Sequence, residues 1–214
     1  MNKNNNMNKM DKINYTKNMN ITKFTPLNEI LEFGKRCNKS GHCCSFGGGF
    51  VLKDEIEGIA KDLGIDKKDL IKNYLDEKIS FNTEHYKLKS KKNKNNFKLL
   101  SKKSKKLHLP FGPCVFLDEN KLCKIHEHKP LHCKIGTCCK NAGEEVSLWF
   151  TLNYFVNPDD AESIRQWAIY LKTHPTIPGG ELNQIVPDKD KLNKILNHEI
   201  SKWNFIWLNK INKI

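Results

Sequence analysis

Apolar residues recur at helical spacing through Ile56, Ile59, Ala60 and Leu63 and predict an amphipathic helix over residues 53–63. Gly64 ends it, and Asp66 with Asp69 has the form of a capping box opening a second short helix through Tyr74. The period then changes. Alternation at residues 85–89 and 96–100 predicts an exposed hairpin. Pro110 and Pro113 bracket a rigid turn that delivers Cys114. The following segment reads as two short strands around Asp118-Glu119-Asn120, drawing Cys114 and Cys123 together. Residues 146–156 are largely apolar and aromatic and suit a buried strand or a short helix. Asp159 is placed to cap a helix reaching about Lys172, with Ile164, Trp167, Ala168 and Leu171 facing inward. From Asp188 a long amphipathic helix is expected, carrying Leu192, Leu196, Ile200, Trp203 and Trp207 on one face.

These elements give an α+β fold: a small, irregular cysteine-cluster core of short helices and short hairpins, with a C-terminal amphipathic helix. Three regions are expected. Residues 1–23 form an Asn/Lys-rich disordered tail, with too few apolar groups to offset the entropy of ordering. Residues 24–145 form the cysteine-cluster domain, with a basic insertion at 86–106. Residues 146–214 form a helical extension packing on that domain. The N-terminal segment has no apolar stretch of a secretory signal, and no run of about 18 apolar residues offers a transmembrane segment. A reducing cytoplasm is therefore expected, where clustered thiols serve metals rather than disulfides.

Charge adds one feature. The formal net charge is +13, and residues 86–106 hold ten lysines and no acid. Such a run can neutralise phosphates. Arginine, the better fork for bases and phosphates, occurs only at Arg36 and Arg165, and stacking aromatics are few there. Weak, salt-sensitive nucleic-acid binding at most is expected. The Gly47-Gly48-Gly49 turn lacks the strand–GxGxxG–helix setting of a dinucleotide site, and no Walker lysine follows it.

The chemistry lies in the cysteines. All eight fall within residues 37–139: Cys37, Cys43 and Cys44, then Cys114, Cys123, Cys133, Cys138 and Cys139. No zinc-type C-x2-C knuckle is present, whereas iron–sulfur clusters accept wider, irregular spacing because their ligands bind separate iron atoms. Eight thiols exceed the needs of one tetrahedral ion. All eight are candidate ligands, for a 4Fe-4S or 2Fe-2S cluster first and for Zn as the alternative. Five histidines accompany them (His42, His108, His126, His128 and His132), and His42 and His132, each beside a cysteine, are the stronger candidates. Lys121, Lys124, Lys129 and Lys134 stand ready to lower thiol pKa values.

The stretches CNKSGHCCSFGGGFVLKDEIEGIAKDLGI and PCVFLDENKLCKIHEHKPLHC together resemble the YkgJ-type cysteine-cluster proteins, described as a zinc- or iron-chelating domain. The resemblance covers roughly residues 37–139. It implies Cys37, Cys43, Cys44, Cys114, Cys123 and Cys133 as ligands, with Pro113, Phe116, Ile125 and Pro130 as framework positions. Three departures stand out: His126 where the family usually has Tyr, Lys129 where it has Arg, and Ile135-Gly136 where it has Tyr-Pro. Cys138 and Cys139 are additional thiols. A related cysteine pattern in flagellin lysine N-methylases implies a second possibility, an accessory module or enzyme of protein modification. A zinc-stapled nucleic-acid-binding module is the third. The leading expectation is a metal-binding protein with no identifiable catalytic machinery, serving an unknown protein partner or metal-delivery client.

Overall fold

The computed structural model describes residues 20–35, 40–91, 112–136 and 143–200. These fall into two compact units, one from Leu27–Cys138 and the other from Met1–Pro26 with Cys139–Ile214. The fold is α+β, with short helices and one small antiparallel sheet.

In the first unit the chain runs α1 (Leu27–Gly34), α2 (His42–Ser45), β1 (Phe50–Val51), α3 (Glu55–Leu63), α4 (Lys67–Tyr74), β2 (Leu75–Ser80), β3 (Thr83–Leu88) and α5 (Leu131–Ile135). Helix α3 buries Ile56, Ile59 and Ala60, the face that its spacing marks, and Gly64 closes it in the left-handed conformation. Asp66 caps α4 by accepting the Lys68 amide at 2.7 Å. The sheet order is β1-β3-β2, antiparallel throughout.

The hairpin differs from the sequence reading. Its first strand follows α4 without a break, and its turn is Phe81-Asn82, both at positive φ (50° and 58°). A two-residue turn with both centres left-handed normally advertises itself with Asn-Gly or Asp-Gly. Phe-Asn carries no such signal, so alternation alone placed the partner strand too late. Its expected second strand, 96–100, lies outside the described residues. Cys114–Cys123 is also not a pair of strands. It is a run of turns fastened by single bridges, Ser90 to Cys114 and Leu117 to Cys123.

One apolar cluster holds this unit together: Val51 from β1, Ile56, Ile59 and Ala60 from α3, Leu70, Leu75, Leu88, and Cys114, Phe116, Leu117 and Ile125 from the turn region. Tyr74 stacks on Phe116, centroids 5.1 Å apart. The core thus spans both halves of the cysteine pattern. A polar tie does the same: one Glu55 carboxylate oxygen accepts the Leu52 amide at 2.9 Å and the other accepts the Leu131 amide at 2.6 Å. The second bond joins residues 76 apart and fixes the start of α5.

The second unit contains α6 (Gly143–Tyr154), α7 (Ala161–Leu171), α8 (Leu182–Ile185) and α9 (Lys189–Leu196). The apolar segment 146–156 is therefore mostly helix. Trp149 Nε1 donates to the Thr25 carbonyl at 2.8 Å, and Trp167, fully buried, donates to the Gly180 carbonyl at 2.8 Å. The cap of α7 is Asp160 rather than Asp159; its carboxylate accepts from Glu162 and Ser163 amides. Asp159 faces solvent beside Lys191. Helix α9 is shorter than its pattern predicts. Arg165 takes the Ile195 and Ile200 carbonyls, and His198 turns left-handed at φ 61°. A part-buried guanidinium taking the Ile195 carbonyl supplies a donor that a further helical turn would have supplied. Trp203 and Trp207 lie outside the described residues. Among the described residues no helix is long and apolar enough to cross a membrane.

Glu55→Ala should lower stability by about 2 kcal/mol, since it strips two part-buried amides of their acceptor. Glu55→Gln, which retains one acceptor oxygen, should lose less. Denaturant melts of the two variants check this, and equal losses would deny Glu55 its double role.

Candidate metal centre

Helix α2 is a single turn that carries Cys43 and Cys44, with Gly41 before it at φ 68°. The Cys114 amide donates to the Cys44 carbonyl at 2.7 Å, which brings the second cysteine group against the first. Beyond Cys114, the turn region is fixed by Asp118, whose side chain accepts the Leu122 amide at 2.7 Å, and by the Lys124 backbone amide donating to the Phe116 carbonyl at 2.8 Å. That places Cys123. Cys133 sits in α5, whose first turn starts from the buried Pro130.

Cys43, Cys44, Cys114, Cys123 and Cys133 all line one cavity of about 310 Å³, together with His126, His132, Lys121, Lys129 and the Gly47–Gly49 turn. Glycine is required at position 49: a Cβ there would stand 2.4 Å from Cys133 Sγ and 3.0 Å from His132 Nδ1. The glycine turn is therefore a wall of the sulfur cavity, not a phosphate loop. Cys37, Cys138 and Cys139 lie outside the described residues, as does His108.

The sulfurs are electrostatically unlike. Cys43 and Cys44 Sγ atoms are 3.8 Å apart. The thiol of Cys44 donates to Cys43 and, with help from Lys129, draws the Cys43 pKa down to about 6. The same bond, burial and the neighbouring Cys43, Cys114 and Cys123 push Cys44 upward. Burial raises Cys114, and burial with repulsion from Cys114 pushes Cys133 up to about 12. Such a set cannot ionise together without a cation between its members.

The histidines sort differently from their sequence positions. His42 is exposed and packs edge-on against Phe46. His132 lines the cavity, packs against Phe50, and is held by burial at a pKa of about 4, so it is neutral. His128 pairs with Asp62 at 2.8 Å. His126, which the sequence marks only as a departure from the family's Tyr, also lines the cavity. Its Nδ1 lies 3.3 Å from Glu127 Oε1, and its Nε2 is buried with no hydrogen-bond partner. An unpartnered buried nitrogen costs about 1–3 kcal/mol. The roles of Glu55 and Gly49 were not legible in the sequence; the one acts through a distant amide and the other lies against a sulfur that only folding brings near.

The donor set suits a thiophilic metal. Two thiolates sharing a tetrahedral ion with bonds of about 2.3 Å stand about 3.8 Å apart, the Cys43–Cys44 separation. Among the described residues no group of three His, Cys, Asp or Glu is gathered closely enough to hold one ion. The five cysteines are spread instead over the walls of the cavity.

A family model described as CxxCxxCC, "Putative zinc- or iron-chelating domain", matches residues 36–145, just over half of the chain. It covers every cysteine and supports metal binding. No curated protein and no solved structure matches the chain.

Gly49→Ala should displace Cys133 and weaken metal retention, with a strain of about 1–3 kcal/mol; chelator competition measures it. The pKa directions also fix a sign. At pH 7 Cys43 is mostly thiolate, while Cys44, Cys114 and Cys133 hold their protons. Ligation by those three must release protons, so metal affinity should climb as pH rises. Proton release into weakly buffered solution during metal titration checks it, and uptake without release would contradict it.

Proposed function

The chain belongs to the CxxCxxCC family of zinc- or iron-chelating domains, and from that premise we propose that its sulfur-lined cavity holds an iron–sulfur cluster, of 4Fe-4S or 2Fe-2S type. The observation that carries the reading is the convergence of five cysteines from three separate segments on one cavity of about 310 Å³. That volume exceeds what a single four-coordinate ion occupies, and a cluster is a larger object whose corners take ligands from different walls. Cys43, Cys44, Cys114, Cys123 and Cys133 supply the sulfurs on the cavity wall, and Cys37, Cys138 and Cys139 complete the candidate set. Lys121 and Lys129, also on the wall, offset the negative charge that thiolate ligands bring.

Bound there, a cluster supplies one-electron chemistry or a store of iron and sulfide. The surrounding residues have positioning roles. Glu55 anchors the helix of Cys133, the Cys44 carbonyl fixes the Cys114 amide, and Gly49 leaves Cys133 its room. The reading is therefore a non-catalytic protein of cluster storage, delivery or electron transfer in a reducing cytoplasm, with a metal-delivery client as its partner. One specific observation favours zinc as a second reading: the 3.8 Å Cys43–Cys44 separation equals the edge of a tetrahedral thiolate shell. An enzyme of protein modification and a nucleic-acid module have no comparable observation behind them. Of the basic insertion, residues 92–106 lie outside the described residues.

Anaerobic purification of the full chain, with iron, zinc and acid-labile sulfide measured and a visible spectrum recorded, is the test. Brown protein with iron and sulfide in equal amounts is expected, and its colour should be lost in Cys44→Ser and Cys123→Ser. Colourless protein with stoichiometric zinc and no sulfide would replace the cluster by the second reading.

A further inference from the structure

We infer that His126 is a nitrogen ligand of the metal in this cavity, with Glu127 orienting its ring, so that the centre is of mixed sulfur and nitrogen type rather than sulfur alone. The inference rests on the reading that the cavity holds a metal, and adds a donor to it. Three observations meet on this side chain. His126 lines the same cavity as five cysteines. Its Nε2 is buried and has no hydrogen-bond partner, one of two such side-chain nitrogen or oxygen atoms among the described residues. The other, Thr176 Oγ1, belongs to the other unit.

The third observation fixes the proton. Nδ1 is 3.3 Å from Glu127 Oε1. An ionised carboxylate only accepts, so Nδ1 carries the hydrogen and donates it, which leaves Nε2 with its lone pair. A carboxylate behind one ring nitrogen and a metal before the other is the usual arrangement of a ligating histidine, since it holds the tautomer and raises the basicity of the donor. The backbone sets the ring in place. The His126 amide donates to the Cys123 carbonyl at 3.2 Å, and the preceding Ile125 is locked in the core at 3 % exposure. His126 is thus tied to the turn that carries Cys123. His132, by contrast, is engaged on Phe50, and His42 stands outside the cavity lining.

A nitrogen donor changes what the centre can be. Imidazole in place of thiolate removes one negative charge from the shell, and in iron–sulfur centres such a replacement raises the reduction potential. Imidazole is equally acceptable to zinc.

The experiment uses the full chain purified anaerobically with the metal it retains, iron or zinc as analysis finds. X-ray absorption at that metal's edge is compared for the wild type, His126→Gln and Glu127→Gln, with far-ultraviolet circular dichroism as the control for folding. The wild type should show nitrogen scattering with the outer shells of an imidazole. His126→Gln should lose that signature and, in chelator competition, hold the metal at least tenfold less tightly. Glu127→Gln should keep the signature while weakening retention on the order of 10-fold, the usual effect of removing the group behind a ligating histidine. An all-sulfur shell in the wild type, or an imidazole signature that persists in folded His126→Gln, overturns the inference and leaves the metal centre standing. A wild type that retains neither iron nor zinc overturns the metal reading itself, and this inference with it.

Discussion

Glu55 closes a span of 76 residues with one hydrogen bond and, through its second oxygen, holds the loop ahead of its own helix. The cavity depends on this kind of tie because its sulfurs cannot draw one another together. Thiolates brought close raise each other's pKa, and thiols offer only weak hydrogen bonds. The scaffold must bring them together by other means. An apolar core reaching from Val51 to Ile125 supplies most of that, and backbone-directed bonds at Cys114 and Leu131 supply the registration. Cys114 does both at once, being a core residue at 3 % exposure and a member of the cavity wall.

The parts of this architecture that local periodicity controls were readable in advance. Helix α3 with its Gly64 end and the Asp66 cap of α4 follow from residues adjacent in sequence, and they appear as the pattern predicts. Departures occur where a distant group decides. Helix α9 ends early where Arg165, thirty residues back, takes the Ile195 carbonyl in its last turn and the Ile200 carbonyl beyond it. The hairpin turns on Phe81-Asn82, where Asn82 suits a left-handed position but Phe81 does not, so the pair lacks the glycine signal of such a turn. A cap shifted from Asp159 to Asp160 is the one-residue ambiguity left when two aspartates stand side by side.

The site divides along the same line. Crowded cysteines announce a sulfur centre from composition alone, and the five that the structure describes do share one cavity. The residues that shape the cavity were silent. Gly49 reads as part of a flexible turn until Cys133 is found against it. His126 was one of five histidines near cysteines, and adjacency in sequence favoured His42 and His132 instead. Adjacency served for His132, which lines the cavity beside Cys133, and failed for His42. His42, next to Cys43, is exposed and stands outside the cavity lining.

Charge explains why such a centre can sit in so basic a chain. The cavity presents a sulfur of lowered pKa at Cys43 beside three thiols whose pKa is raised, and Lys121 and Lys129 line the same wall. Before a metal enters, one ionised sulfur near those lysines is the stable arrangement, because each further ionisation meets both burial and the charge already present. A cation entering the cavity reverses that balance: it removes the mutual repulsion, and the protons leave. Each further thiolate formed beside such a cation would add to the negative charge that the lysines face. Cationic surroundings and a thiolate centre are thus two halves of one electrostatic arrangement.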